Sequence, residues 1–413
     1  MGIGPSSKET TLHHFRDPLL EVVSEDNDVD FLGVILEGTP EIISDKEFVA
    51  QRSAALVQAM RADGVIVSID SWGNSHVDFT TVIEEIGKRE IPVVGMSFVG
   101  NQASFVITNK YMDTIIDFNK TTEGIETEVV GENNVVEIDA VKALACLKLK
   151  MNKKKESKVC IKDEIKLRKL LIKTFYINKV LFSEKTSIKA GVLYIRNDIV
   201  NEALRGESII DSLKINIITP DNHDMFVNSI LDFSPVAAKV LGRMGEGITH
   251  ALTGVVVMLT GVEESGFQAA NIGSSEGILK QQVKFGRRGT PSEKDIIIHV
   301  DVVLKDGGCR NKEGIMAAHK ACDRIIQEIR NCLKNVDDIC CDERYECFDK
   351  IKPERKKVAI IKQVSGLGCM YDTGILPNEP GGFIGCRSIM DLGNMPLVLT
   401  ANEYRDGAIK AMS

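Results

Sequence analysis

No apolar run in this sequence approaches the roughly 20 residues that cross a bilayer, and its first residues lack the apolar core of a secretory signal. These two absences exclude a helical membrane protein and lead us to expect a cytoplasmic one. With no signal, ten cysteines read as free thiols in a reducing compartment. The cysteines at 332–347 lack paired C-x-x-C spacing, so no metal is expected. The chain is not basic: its net charge is −8, with 27% charged residues. The one lysine-dense block, Lys148 to Lys158, has no interleaved aromatics, which argues against nucleic acid. Tryptophan occurs once. The glycine-dotted stretch 240–261 holds neither a P-loop nor a G-x-G-x-x-G. At 413 residues and 43% hydrophobic, the chain has room for two or three globular domains.

What is present begins with Gly64-Val65-Ile66-Val67-Ser68-Ile69-Asp70, a buried-strand signal. A polar loop follows with Trp72, Asn74, Ser75 and His76, then helical spacing through Val82, Ile83 and Ile86. Ligands gather at the carboxyl ends of strands in open α/β sheets, so this loop suits a ligand site. Asn74 or Ser75 equally suits an N-cap. Upstream, Phe31–Leu36 reads as a strand and 45–62 as a helix; downstream, 77–88 reads as a helix and Ile91–Met96 as a strand. This order predicts parallel strands joined by right-handed crossovers. Gly4-Pro5 is a turn, after which His13, His14 and Arg16 crowd one segment; adjacent histidines read as surface residues.

The expected architecture is α/β: a parallel three-layer module over 1–146, a Lys-rich linker over 147–169, and a larger mixed α+β module over 170–413. Strands are read at Leu170–Ile177, Leu213–Ile218, Val255–Leu259, Ile296–Leu304 and Val358–Val364, and an amphipathic helix at 314–333. The charged, weakly periodic stretch 334–357 reads as an exposed insertion. His299 reads as a strand histidine, and His319 beside Cys322 as core.

Three stretches of the first module carry a resemblance: Ile3–Leu19, Asp63–Phe79 and Lys110–Glu132. Seven lie in the second: Lys239–Gly254, Gly273–Gly277, Arg288–Glu293, Ala317–Glu328, Lys362–Asp372, Pro380–Gly393 and Asn402–Met412. Together they resemble component B of glycine, sarcosine and betaine reductases and of D-proline reductase, with the second module closer to the proline branch. The resemblance implies an oxidoreductase complex of reductive (Stickland) amino-acid fermentation in an anaerobe. Partners would be pyruvoyl-bearing and selenocysteine-bearing subunits, or further copies of this chain.

The order of modules differs from the family precursor. There the larger part comes first and ends in a stretch similar to Asn402–Met412. A cysteine follows, then a segment similar to Ile3–Thr11; cleavage turns that cysteine into a pyruvoyl group. Here the smaller part comes first, equivalent to a circular permutation by gene fusion, which predicts that Met1 and Ser413 are neighbours in space. Gly2 precedes Ile3, and the first cysteine is Cys146. The electrophile's precursor is missing, so no cofactor and no catalytic residue is expected. The chain reads as an accessory subunit; the alternative is a catalytic component B-type subunit. A persisting pocket would lie between the modules. Its lining would come from His13, His14, Arg16, Trp72, Asn74, Ser75 and His76 on one side. Glu246, His250, Arg387, Glu403 and Arg405 would supply the other.

Overall fold

A computed structural model describes residues 9–71, 73–101, 104–153, 168–268, 275–336, 341–348, 351, 352, 354–366 and 373–412. Local capping starts the first two helices. Thr10 accepts from the His13 amide at the head of α1 (Thr11–Phe15). Asp17 accepts from the Leu19 amide at the head of α2 (Pro18–Glu25), where Pro18 lacks only an amide that would have had no helical partner. Then come β1 (Val29–Thr39), α3 (Ile43–Ala59), β2 (Gly64–Ile69), α4 (Ser75–Lys88) and β3 (Val93–Ser97), in the expected order. The short β4 (Ile115–Asp117) and α5 (Glu137–Lys153) follow.

The protein is mixed α/β with several mixed sheets. The largest has six strands in the order Leu397–Leu399, β1, Lys356–Ser365, β2, β3, β4. All neighbours are parallel except Leu397–Leu399, which runs antiparallel along β1. A strand from far down the chain therefore separates β1 from β2. It matches ten residues of β1 and six of β2. Side chains alternate across this sheet as a period of two requires. Val34, Leu36, Ile66, Val94 and Ile360 share a core with α2 and α5. Ile35, Val65, Val67, Ala359 and Ile361 share another with α3 and α4.

Two four-stranded sheets follow in size, beside one two-stranded and two three-stranded sheets among the described residues. One has the order Ser229–Ser234, Val255–Glu263, Ile296–Leu304, Ile210–Ile218; the other runs Ala237–Leu241, Gly247–Thr253, Leu170–Tyr176, Cys341–Glu346. The helix Lys312–Leu333 buries Ile315, Ile325, Ile326 and Ile329 in a core shared with both.

Three readings change. The run expected to be linker from 147 onward is helical as far as Lys153, because acidic partners offset its charges. Lys148 lies 2.5 Å from Asp26 and 2.9 Å from Asp28, and Lys150 pairs with Asp113. Residues 154–167 lie outside the described residues. Within 334–357, Cys341–Glu346 is an edge strand antiparallel to Leu170–Tyr176; its Asp342, Glu343 and Arg344 face water, and charge of that kind hides an edge strand from periodicity. Finally, His13 and His14 are buried, at 0% and 2% exposure, because α1 inserts against the second module.

Candidate functional site

The two described ends of the chain meet. Asp232, 1% exposed, accepts from the Thr11 amide at 2.9 Å and from Thr11 Oγ1 at 2.7 Å. Thr11 Oγ1 in turn accepts from the Ala411 amide at 2.9 Å. Lys410 sits 3.3 Å from Asp232, so the carboxylate is neutralised from the same strand that carries Ala411. Thr10 donates to the Gly289 carbonyl at 2.7 Å. Gly289 holds a φ of +88°, and a Cβ there would come within 2.7 Å of His13 Cβ, so only glycine permits this approach. Met1 and Ser413 themselves lie outside the described residues.

One turn further along lies a buried charge cluster. Lys362, from the strand between β1 and β2, is 2% exposed and reaches Glu9 at 3.0 Å and Asp17 at 2.8 Å. Tyr404 donates to Asp17 at 2.9 Å and lies 3.0 Å from His14 Nδ1. Glu9 also approaches His13 Nε2 at 3.2 Å. Burial works against the charged forms of Glu9, Asp17, Lys362, His14 and Tyr404. At Glu9 and Asp17 the Lys362 ammonium and His13 outweigh it, holding both carboxyls below the usual range. At Lys362 the two carboxylates outweigh burial and raise its pKa. His14 is pushed down to about 4 by burial and by Lys362, so its ring is neutral.

A second polar group lies toward the carboxyl ends of the central strands. Burial pushes Glu37 up to about 8; it accepts from Ser53 and, at 2.6 Å, from Gln363. Lys46 pairs with Asp78, both buried. His76 Nε2 lies 2.8 Å from Ser97 Oγ, its ring 4.6 Å from that of Phe105; burial lowers its pKa to about 4. Ser75 is buried beside it, while Asn74 is exposed at the start of α4 and makes no side-chain capping bond. Trp72 lies outside the described residues.

Between the two modules runs a cleft of about 440 Å³, into which Arg16 and Arg405 project from the sequence-selected set. Arg405 lies 3.2 Å from Glu346 and 3.5 Å from Glu21, and donates to the Phe15 carbonyl. The other selected residues lie apart from it. His13, His14, Ser75 and His76 belong to the two buried groups. His250 Nδ1 lies 2.9 Å from the Leu333 carbonyl and its ring meets Phe175 edge-on, which makes it a satisfied core residue. Glu403 closes a capping box with Thr400. Arg387 is exposed on a short strand, and Glu246 is half-buried in the turn before Gly247–Thr253.

Sequence reasoning missed Glu9, Asp17, Glu37, Asp78, Asp232, Lys362 and Tyr404. A signal existed for Lys362 and Gln363: they interrupt Val358–Val364, an otherwise apolar strand flanked on both sides by other strands, and a charge buried there demands partners. The Asp17-Pro18 pair was likewise legible as a helix start.

Comparisons with known proteins point to one family. The family model for glycine/sarcosine/betaine reductase component B subunits matches residues 2–149 and 168–410. The D-proline reductase proprotein PrdA of Acetoanaerobium sticklandii is 40% identical over 248 residues, 60% of this chain and 39% of that protein. The betaine reductase complex component B subunit alpha of Peptoclostridium acidaminophilum is 31% identical over 112 residues, 24% of this chain and 25% of its own length. The matching sarcosine reductase subunit is 31% identical over 78 residues, 18% of either chain. The chain thus spans two fifths or less of these curated relatives. No solved structure gives a significant match. Among the described residues, no helix is long and apolar enough to cross a membrane. With nearly all of its length matched in both modules, the chain belongs to the glycine/sarcosine/betaine reductase component B family.

Proposed function

We propose that this chain is an accessory subunit of a D-proline-reductase-type complex. It would dock with pyruvoyl-bearing and selenocysteine-bearing subunits without supplying the electrophile itself. The carrying observation is the family match across both modules, together with the 40% identity to a D-proline reductase proprotein.

The residues present do not fit the family's pyruvoyl group. Gly2 precedes Ile3, and residues 2–145 contain no cysteine. Cys309 and Cys322 are buried, their thiols pushed up to about 12 chiefly by burial, which leaves them inert at neutral pH. No reaction step is therefore routed through such a group in this chain. Its own polar residues hold the fold: Asp232 ties α1 to the strand that carries Lys410 and Ala411, and Lys362, on the strand between β1 and β2, neutralises Glu9 and Asp17.

Borohydride treatment in the presence of proline, followed by intact mass spectrometry, tests the reading. This chain is expected to gain no mass while a pyruvoyl-bearing partner does. A hydride-stabilised proline adduct on this chain would establish the catalytic alternative instead.

A further inference from the structure

Two sheets end at one groove. The four-stranded sheet that begins with Ser229–Ser234 finishes on Ile210–Ile218, and a three-stranded sheet has the order Lys179–Ser183, Val192–Arg196, Ser187–Lys189. Ile210–Ile218 and Lys179–Ser183 are therefore edge strands, and neither pairs on its open side among the described residues. A groove of about 700 Å³ is lined by residues 180–182 of one and 215–217 of the other. Successive side chains of a strand point to opposite faces, so a groove that meets three in a row from each runs along the edges, not over a face. Exposed edges are normally guarded by proline, a bulge or a charge. Residues 180–182 and 215–217 carry none of these: they read Val-Leu-Phe and Ile-Asn-Ile, in unbroken register with the strands on their closed sides. Leu181 and Phe182 are exposed there. Beyond Ile218 the lining turns acidic, with Asp221 and Asp224 both exposed and no cation among the lining residues. Lys280, outside the lining, pairs with Asp224; Asp221 has no ion pair among the described residues.

We propose that this groove takes one extended segment of a partner polypeptide as an added strand, paired with both edges at once and carrying a lysine or arginine beside Asp221 and Asp224. Two rows of unpaired backbone groups call for a strand, since a helix satisfies its own and a small molecule offers too few. The residues of a strand turn their N–H and C=O groups alternately to its two sides, so odd residues of the segment serve one edge and even residues the other. Its apolar side chains cover Leu181, Phe182, Ile215 and Ile217, and the acidic end of the lining selects a cationic segment over an acidic one. The groove does not depend on the complex proposed above.

Fluorescence anisotropy of the full chain with a labelled Lys-Val-Thr-Val-Thr-Val peptide tests this. The peptide binds saturably, and N-methylation of either its odd or its even amides weakens binding by about tenfold or more. A peptide with Glu in place of Lys binds more weakly than the parent, and Asp221→Lys reverses that order. Phe182→Asp, which sets a charge on the open edge, abolishes binding of the parent peptide. Absence of saturable binding, or N-methylated peptides that bind like the parent, overturns the proposal. So does loss in only one N-methyl series, which leaves a single edge engaged. Dimerisation of the chain that Phe182→Asp abolishes would give the groove to a second copy and overturns it as well. The charge reversal at Asp221, on an exposed turn, decides the matter if Phe182→Asp does not fold.

Discussion

Replacing Lys362 with methionine isolates the charge that joins the two parts of the chain. Methionine keeps most of the lysine stem's volume, so the cavity term is small and the loss is electrostatic. Glu9 and Asp17, with 3% and 4% of their side chains exposed, then lose the ammonium that lies 3.0 and 2.8 Å away. Removing one partner of a buried ion pair costs about 3–5 kcal/mol. The sign of the pH dependence follows from the shifts. In the native chain both carboxyls titrate below their unfolded values. Their stabilising contribution is present above about pH 4 and is lost on acidification. Without Lys362, burial drives both pKa values up and the buried carboxylates become a penalty that grows with pH. Urea denaturation of both chains at pH 5 and pH 7.5 reads the difference. The deficit of Lys362→Met is expected to be larger at pH 7.5 and to shrink toward pH 5. Adding Asp17→Asn, which still caps α2, should recover part of it. A deficit below about 1 kcal/mol, or one equal at both pH values, would refute the reasoning.

Three further outcomes follow. Residues 1–153 expressed alone should remain unfolded by circular dichroism, since Lys356–Ser365 supplies the strand between β1 and β2; co-expression with 168–413 should restore a stable pair. Glu37→Gln should flatten stability between pH 5 and 8: the native carboxyl, raised from 4.5 to about 8, stays protonated while the unfolded chain ionises, so native stability falls by up to about 5 kcal/mol as pH rises through that window. His76→Ala should leave association with reductase subunits unchanged and cost stability alone, as His76 is 1% exposed and bonded to Ser97.

The strands were legible because their signals are local. Ile296–Leu304 occupies the expected residues, and Lys356–Ser365 extends the expected Val358–Val364 by two residues at its start and one at its end. What sequence could not reveal was partnership. Nothing near Lys356–Ser365 says that it belongs between β1 and β2, because strand order depends on contacts remote in sequence. The same holds for the site. His13 and His14 look exposed when read beside their neighbours, and only docking of α1 on Asp232 and Tyr404 buries them. Arg16 and Arg405 both line the cleft, while His250 and Glu403 are held by the core and by a helix cap.

The most direct test is purification of the chain from its own cells with D-proline reduction followed across the column. The account predicts co-elution with a pyruvoyl-bearing and a selenocysteine-bearing subunit, and borohydride label on the partner only. Elution away from every reductase subunit, or label on this chain, would contradict it.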